Sequence, residues 1–265
     1  MENFAEYILN EEDLAAKFEI AYYLSKKKRI FFDKSVIFKT ELARMFIDYA
    51  KIDIDKNFVL TACLLCNCKK VDNAQDLESI HTYAQKGAEY LEILGFNKKF
   101  CKVCEEVNRY SNSNPRERES DVLELVDQFG GMLLDRPERI GFKPEEALVL
   151  IEHRNLKDNY NRYLETFIDF VNFMEEIKVS ELVNMTALRR LVKIHNESDS
   201  LVKFIKEIIN DYQPKVDKLM NNHMKELTVE MFEKVEDPNR PLFSAETARK
   251  IMSHMGEEST IKVEE

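Results

Sequence analysis

Apolar residues recur three or four positions apart along most of this chain, which is the spacing that places them on one face of an α-helix. The clearest stripe is formed by Val122, Leu125, Val126, Phe129 and Leu133. No segment of the sequence alternates Val, Ile or Thr with polar residues in the way that predicts a β-strand. The pattern therefore predicts an all-α protein.

The helix that carries this stripe has recognisable ends. We predict that it stops before Pro137 and that Gly141 lets the chain turn. A second helix is predicted to begin at 143–146, because proline suits a first helical turn and acidic residues suit its positive end. Gly130 and Gly131 lie inside the first helix and indicate either close packing or a kink.

Similar periodicity predicts helices in the rest of the chain. Ser180 and either Ser198 or Ser200 are predicted N-caps, and Gly95 is a predicted C-cap. The further helices are expected as one or two within 1–34, then at 36–50, 57–71, 75–94, 98–110, 160–176, 180–195, 198–209, 219–235 and 244–255.

Composition supports helices and narrows the classes of function. The chain has 265 residues with only 6 Gly and 6 Pro, so long helices are favoured over turn-rich sheets. Its net charge of −10 argues against nucleic acid as a partner, and we interpret the basic run 26–29 as a solvated helix end. The longest apolar run, 58–66, is too short to span a membrane, and the N-terminus lacks a signal-peptide pattern. We therefore expect a cytoplasmic protein without a membrane partner.

The cysteines allow two interpretations. Cys63 and Cys66 form one Cys-x-x-Cys pair and Cys101 and Cys104 form another, which is a spacing typical of a four-thiolate zinc or iron–sulfur site. Both pairs lie inside predicted helices among apolar residues, however. We therefore favour buried thiols that fill the core.

The segment around Asp127 resembles the C-terminal half of the HD-GYP family, a branch of the HD-domain metal-dependent phosphohydrolases. In that family a helix carries a metal-binding Asp and is followed by an Arg-Pro-x-Arg turn and a helix opening Pro-Glu-Glu-Ala-Leu. The corresponding features here are Asp127, residues 136–139 and residues 144–148. The resemblance implies an HD-domain-like helical bundle. It also implies chemistry in which bound metal ions activate a water that attacks a phosphodiester such as cyclic di-GMP.

When the rest of the chain is aligned with this family, most of the positions that bind metal in the family carry residues that do not bind metal. Lys70 keeps the basic residue that ends the family's defining segment, and His81 is expected on the opposite side of its helix from Tyr83. Phenylalanine offers no lone pair, and a neutral amide cannot offset the charge of a cation as aspartate does. The vestigial metal positions are Phe38, Cys66, Asn67, Tyr83, Asn108 and Asp127, of which only Asp127 keeps the expected ligand.

We therefore predict a catalytically inactive HD-GYP-like domain at 36–175, with no catalytic residue, no bound cofactor and no metal. Helical extensions are expected at 1–35 and 176–235, and a loop, a short helix and an acidic tail at 236–265. Such a domain is expected to act as a regulatory or protein-interaction module in bacterial signalling, with another protein as its partner.

Two alternatives remain. One is a metal-dependent phosphohydrolase with a rearranged site built from Cys66, Asp127 and His81. The other is a sensor that binds a cyclic dinucleotide without cleaving it. For Asp127 itself we favour an ion pair with a nearby Arg or Lys over a metal. For Arg136 and Arg139 we favour hydrogen bonds to backbone carbonyls over contact with a phosphate. The remaining histidines are expected to be surface or packing residues; they are His153, His195, His223 and His254.

Overall fold

The computed structural model describes residues 4–70, 77–108, 116–136, 139–155, 160–180 and 184–233. This part of the chain is predominantly helical, which confirms the predicted all-α class. The helices are α1 Phe4–Asn10, α2 Leu14–Lys28, α3 Lys34–Ala50, α4 Lys56–Leu65, α5 Leu77–Ile93, α6 Lys98–Glu105, α7 Arg118–Leu133, α8 Pro144–Asn155, α9 Leu164–Glu176, α10 Ala187–Glu197, α11 Leu201–Glu207 and α12 Gln213–Glu233.

Short polar side chains start several of these helices, because they accept hydrogen bonds from backbone N–H groups that lack a helical partner. Asp33 accepts from the amides of the first turn of α3, and Asp55 accepts from Phe58 N at the start of α4. Ser200 accepts from Lys203 N, which confirms the second of the two predicted caps for α11. The basic run near residue 28 lies in the last turn of α2, as expected.

The prediction of a helix from Ser180 is wrong. Ser180 ends a short strand, β1 Lys178–Ser180, which pairs antiparallel with β2 Met185–Thr186. Helix α10 begins after this hairpin, and Thr186 caps it by accepting from Arg189 N at 3.2 Å. Strands of three and two residues are too short to show the alternation that would predict them.

A π-helical turn at Ile208–Tyr212 joins α11 to α12, so these predicted separate helices form one continuous helical path. Ile208 and Tyr212 are buried, and the Tyr212 hydroxyl donates to the carbonyl oxygen of Ala187 at 3.1 Å. This bond ties the turn to the start of α10.

Helix α3 lies at the centre of the core and contacts α4, α7, α9 and α10. Four aromatic rings pack where α3, α7 and α9 meet: Phe46, Phe129, Phe167 and Phe170. One cluster of buried apolar residues extends from Ala5 to Val216, so the first and last described helices share the core with the middle of the chain. The division into extensions and a central domain stays a prediction.

The N-terminal helices are attached to this core by a buried lysine. Lys17 is fully buried, and its ammonium donates to Ile8 O and to Thr61 Oγ1, each at 2.6 Å. Burial lowers the pKa of Lys17 to about 8, against weaker raising effects of Glu11 and Asp55. The lysine therefore joins α1, α2 and α4 through hydrogen bonds, and among the described residues no carboxylate lies within ion-pair distance of it.

Within the described residues, no helix is long and apolar enough to cross a membrane. The predicted helix at 244–255, the acidic tail and His254 lie outside the described residues.

Gly95 follows α5 with a φ of 96°, which confirms it as the predicted C-cap. We expect Gly95→Ala to lower the free energy of unfolding by about 1 kcal/mol, because side chains strain a left-handed backbone. Gly87→Ala is the matched control. Gly87 lies inside helix α5, where alanine is favoured over glycine, and a Cβ added there meets nothing closer than 3.4 Å. Urea denaturation measures both, and equal effects of the two substitutions would contradict this prediction.

Candidate functional site

Asp127 on α7 forms an ion pair with Lys39 on α3. The Lys39 ammonium lies 2.7 Å from Asp127 Oδ1, and the two side chains are 5% and 15% exposed. The prediction that Asp127 pairs with a basic residue is confirmed. In the resembling family a metal ion would bind this carboxylate, whereas here an ammonium contacts it.

Asn67, in the turn after α4, contacts the same carboxylate oxygen as Lys39 does. Its side-chain amide donates to Asp127 Oδ1 at 2.9 Å, and the residue is 1% exposed. The turn after α4 sets its position, with Lys70 N donating to Asn67 O at 2.8 Å and Phe31 N donating to Cys68 O at 3.0 Å. The Asn67 Oδ1 atom is buried and has no hydrogen-bond partner within the described part of the chain.

These contacts hold Asp127 in its ionised form. Burial on its own raises a carboxyl pKa, but the positive charges of Lys39 and Lys70 and the hydrogen bonds from Lys39 and Asn67 outweigh it. The pKa of Asp127 falls from 3.8 to about 2. The carboxylate therefore carries its charge throughout the physiological pH range.

The glycine pair in α7 makes room for the lysine. A Cβ at Gly130 would lie 2.9 Å from Lys39 Cγ, and one at Gly131 would lie 3.8 Å from Lys39 Nζ. Both glycines lie within the unbroken helix α7. Of the two explanations that the sequence allowed, close packing is the one observed. The Lys39 stem passes over the place where side chains at these positions would stand.

Two further cations lie near the pair. The Lys70 ammonium lies 5.7 Å from the centre of the Tyr83 ring, within the range of a cation–π contact. A guanidinium nitrogen of Arg136 would be 3.3 Å from a Cβ at Gly131, the residue that also approaches Lys39. The charges of Lys39 on α3 and of Lys70 in the turn after α4 both act on Asp127.

Arg136 and Arg139 stabilise the turn between α7 and α8, as predicted. Arg136 donates to Gly131 O at 3.3 Å, and Arg139 donates to Gly131 O at 2.7 Å and to Met132 O at 3.0 Å. These carbonyls belong to the last turn of α7, where helical partners are lacking. Gly141 closes the turn, because a Cβ there would collide with Leu133 O.

The structure also describes the other positions that the resemblance predicts to be vestigial. Phe38 is fully buried, and its ring meets the His195 ring edge-on with centroids 5.9 Å apart. Cys66 is buried after α4, and Asn108 is half-buried beyond the end of α6. Tyr83 is half-buried on α5 and faces Lys70. His81 also lies on α5, but its side chain is outside the described residues.

The histidines behave mostly as expected. His153 is exposed, and His195 is 9% exposed between Phe38 and the ring of Phe204. Burial lowers the pKa of His195, which favours its neutral form. His223 lies half-buried near Phe173.

All five cysteines are buried free thiols. The Cys66 thiol lies 3.8 Å from Cys63 O and the Cys101 thiol lies 3.8 Å from Phe96 O, which are distances of weak hydrogen bonds to the backbone. Burial raises the pKa of Cys66 and of Cys104 well above its usual value, so both stay protonated. Among the described residues, no group of three or more His, Cys, Asp or Glu side chains could hold a metal ion.

Sequence reasoning missed Lys39. It follows the vestigial position Phe38 directly, and a lysine in a mixed helix is normally solvated. The signal for it was indirect, since two adjacent glycines in the facing helix imply a long side chain passing close to the backbone.

A cavity of about 520 Å³ lies between the α7–α8 turn and α10. Leu133, Phe142, Lys143, Arg189 and Lys193 are among its lining residues, and none of the vestigial metal positions is. It is therefore a feature separate from the cluster around Asp127.

Comparisons with protein-family models, curated proteins and solved structures found no match to this chain.

Proposed function

We propose that this protein is a catalytically inactive HD-GYP-like domain that acts as a regulatory module by contacting another protein. The observation that carries the proposal is the Lys39 ammonium 2.7 Å from Asp127 Oδ1. It supplies, from within the chain, the positive charge that the resembling family takes from metal ions.

The geometry around Asp127 opposes metal chemistry there. A cation at Oδ1 would have to displace Lys39 and would meet the donor side of the Asn67 amide, which points at that same oxygen. Hydrolysis of the family's type needs a metal-activated water, and activation depends on anionic and imidazole ligands around the ion. The residues that this chain has at the family's ligand positions do not provide these anionic and imidazole ligands.

The resemblance around Asp127 supplies the signalling context of the proposal. A helical scaffold that keeps its shape without hydrolysing a substrate can still change the activity of a partner through contact. The regulatory assignment rests on this reasoning together with the Lys39 ion pair.

The proposal is tested by metal analysis and by turnover. The purified full chain is loaded with Mn²⁺ or Fe²⁺ and assayed with bis-p-nitrophenyl phosphate and with cyclic di-GMP. We expect no stoichiometric metal and no metal-dependent turnover, with the same rates for the wild type and Asp127→Asn. A bound ion at one equivalent or more, with turnover lost in Asp127→Asn, would establish the rearranged enzyme instead.

The same metal analysis tests the four-thiolate alternative. Zinc or iron that is lost when Cys66 and Cys104 are replaced by alanine, while Asp127→Asn retains it, would locate a metal at the cysteines. In that outcome the proposal that Lys39 takes the place of a metal ion at Asp127 would be unaffected, because the two sites are tested by different substitutions.

A further inference from the structure

The C-terminal end of α2 carries four consecutive basic residues, which we call the basic end of α2. They are Lys26, Lys27, Lys28 and Arg29. All four are exposed, and among the described residues no carboxylate lies within ion-pair distance of them. Exposed lysines elsewhere, such as Lys193 and Lys203, have a carboxylate one helical turn away. This unpaired positive charge occurs in a protein whose net charge is −10.

The helix dipole does not account for the whole run. Cations are favoured near the negative end of a helix, but this effect is screened by salt and is confined to the last turn. Arg29 follows that turn and has a φ of 51°. Glycine adopts this backbone conformation most readily, so the arginine places a charge where backbone geometry favours a residue without one.

Two tyrosine rings orient the lysines of this surface. The Lys26 ammonium lies 5.2 Å from the centre of the Tyr22 ring, and the Lys27 ammonium lies 4.6 Å from the centre of the Tyr23 ring. Each ring belongs to the residue four positions earlier, from which a carboxylate could have neutralised the lysine. A ring attracts an ammonium without removing its charge, so the N–H groups stay available to an acceptor from outside the chain.

The basic end of α2 is fixed to the core on both sides. The opposite face of α2 is buried and includes Phe18 and Leu24. After the basic run Ile30 is buried, and Phe31 N donates to Cys68 O at 3.0 Å. A surface that is already ordered loses little conformational entropy when a partner binds to it.

We propose that the basic end of α2 binds a short acidic segment of a partner protein. The rest of the chain is acidic and would repel an extended anionic surface, such as a nucleic acid or an anionic membrane. A short segment contacts the basic end alone, and repulsion from more distant charges is screened beyond about 8 Å at physiological ionic strength. The inference deepens the proposed function and rests on it in one respect, namely that this protein acts by contacting another protein.

Fluorescence anisotropy of a labelled octaglutamate peptide, titrated with the full chain at physiological salt, tests this surface. We expect binding that Lys27→Glu/Lys28→Glu weakens about tenfold, because two attractive charges become repulsive. Lys86→Glu/Lys206→Glu is the matched control, since it changes the net charge equally at exposed lysines of α5 and α11. The control should bind the peptide as the wild type does.

Arg29→Gly is the second variant. Glycine accepts the φ of 51°, so this substitution removes one charge without straining the backbone. We expect it to weaken peptide binding about threefold, because one attractive charge is lost and none is reversed. Circular dichroism verifies that each variant is folded, and Arg29→Gly keeps the test decisive if the double variant is not.

Several results would overturn the inference. They are the absence of peptide binding, equal affinity of the wild type and the two variants, and equal weakening in the matched control. Tighter binding of a single-stranded oligonucleotide or of phosphatidylserine vesicles would show that the partner is not a protein. Sedimentation velocity tests a second copy of the chain, and a dimer that Lys27→Glu/Lys28→Glu dissociates would also overturn the inference. The proposed function fails separately, through metal-dependent turnover that Asp127→Asn abolishes, so the two failures are distinguishable.

Discussion

Asp127→Ala is expected to lower the free energy of unfolding by about 3–5 kcal/mol, because it leaves the Lys39 ammonium buried without its partner. The side chain of Lys39 is only 5% exposed, so solvent cannot replace the lost carboxylate. Removing Asp127 also leaves the Asn67 amide without its acceptor. Urea denaturation of the purified variant gives the measurement.

The double variant Lys39→Met/Asp127→Leu is the informative companion. With both charges gone no buried ion lacks a partner, and the main remaining cost is the Asn67 amide without its acceptor. We therefore expect the double variant to lose about 1–3 kcal/mol, less than Asp127→Ala does. Lys193→Met removes the exposed pair with Glu197 and serves as the control, with an expected cost below about 1 kcal/mol. A double variant as unstable as Asp127→Ala would show that the ion pair is not the source of the effect.

The second large effect is a rise in stability at alkaline pH that depends on Lys17. The pKa of Lys17 is about 8 in the folded chain and 10.5 without burial, so between these values the unfolded chain binds more protons. Stability therefore rises with pH across this window, by about 3 kcal/mol in total. Below pH 8 the full cost of burying the charged ammonium is present, and above 10.5 it is absent.

Other lysines titrate in the same range, so the effect is measured as a difference. The free energy of unfolding of the wild type is compared with that of Lys17→Met at intervals from pH 7 to pH 11. We expect the free energy of unfolding of the wild type to rise relative to that of Lys17→Met as the pH rises. Lys28→Met, an exposed lysine at the end of the same helix, should follow the wild-type curve in parallel. A difference curve for Lys17→Met that is flat with pH would contradict the assigned pKa.

Much of the helical architecture could be predicted from local signals. Gly95, Ser200 and Pro144 mark helix ends through backbone geometry and hydrogen bonds formed within a few residues, so the sequence contains the required information. The hairpin that includes Ser180 could not be predicted, because its strands are held by tertiary packing and are too short to show a period. The π-helical turn before α12 was missed for a similar reason, since one extra residue per turn leaves no mark in the composition.

The site was predictable only in part. Asp127 could be located through the resemblance of its segment, and the turn residues Arg136 and Arg139 through the carbonyls that they had to satisfy. The partner of Asp127 could not be identified, because Lys39 is 88 residues away and its burial depends on how closely α3 approaches α7. That approach is a property of the packed core.

The Lys39 ion pair also determines whether the charge beside Asp127 depends on ions in solution. A dissociable ion leaves when its supply is short or when a chelator competes for it, and an exchangeable site takes different ions in different compartments. The ammonium that neutralises Asp127 is covalently tethered to α3. The positive charge that Lys39 brings to Asp127 is therefore set when the chain folds, and it does not come from the pool of free metal.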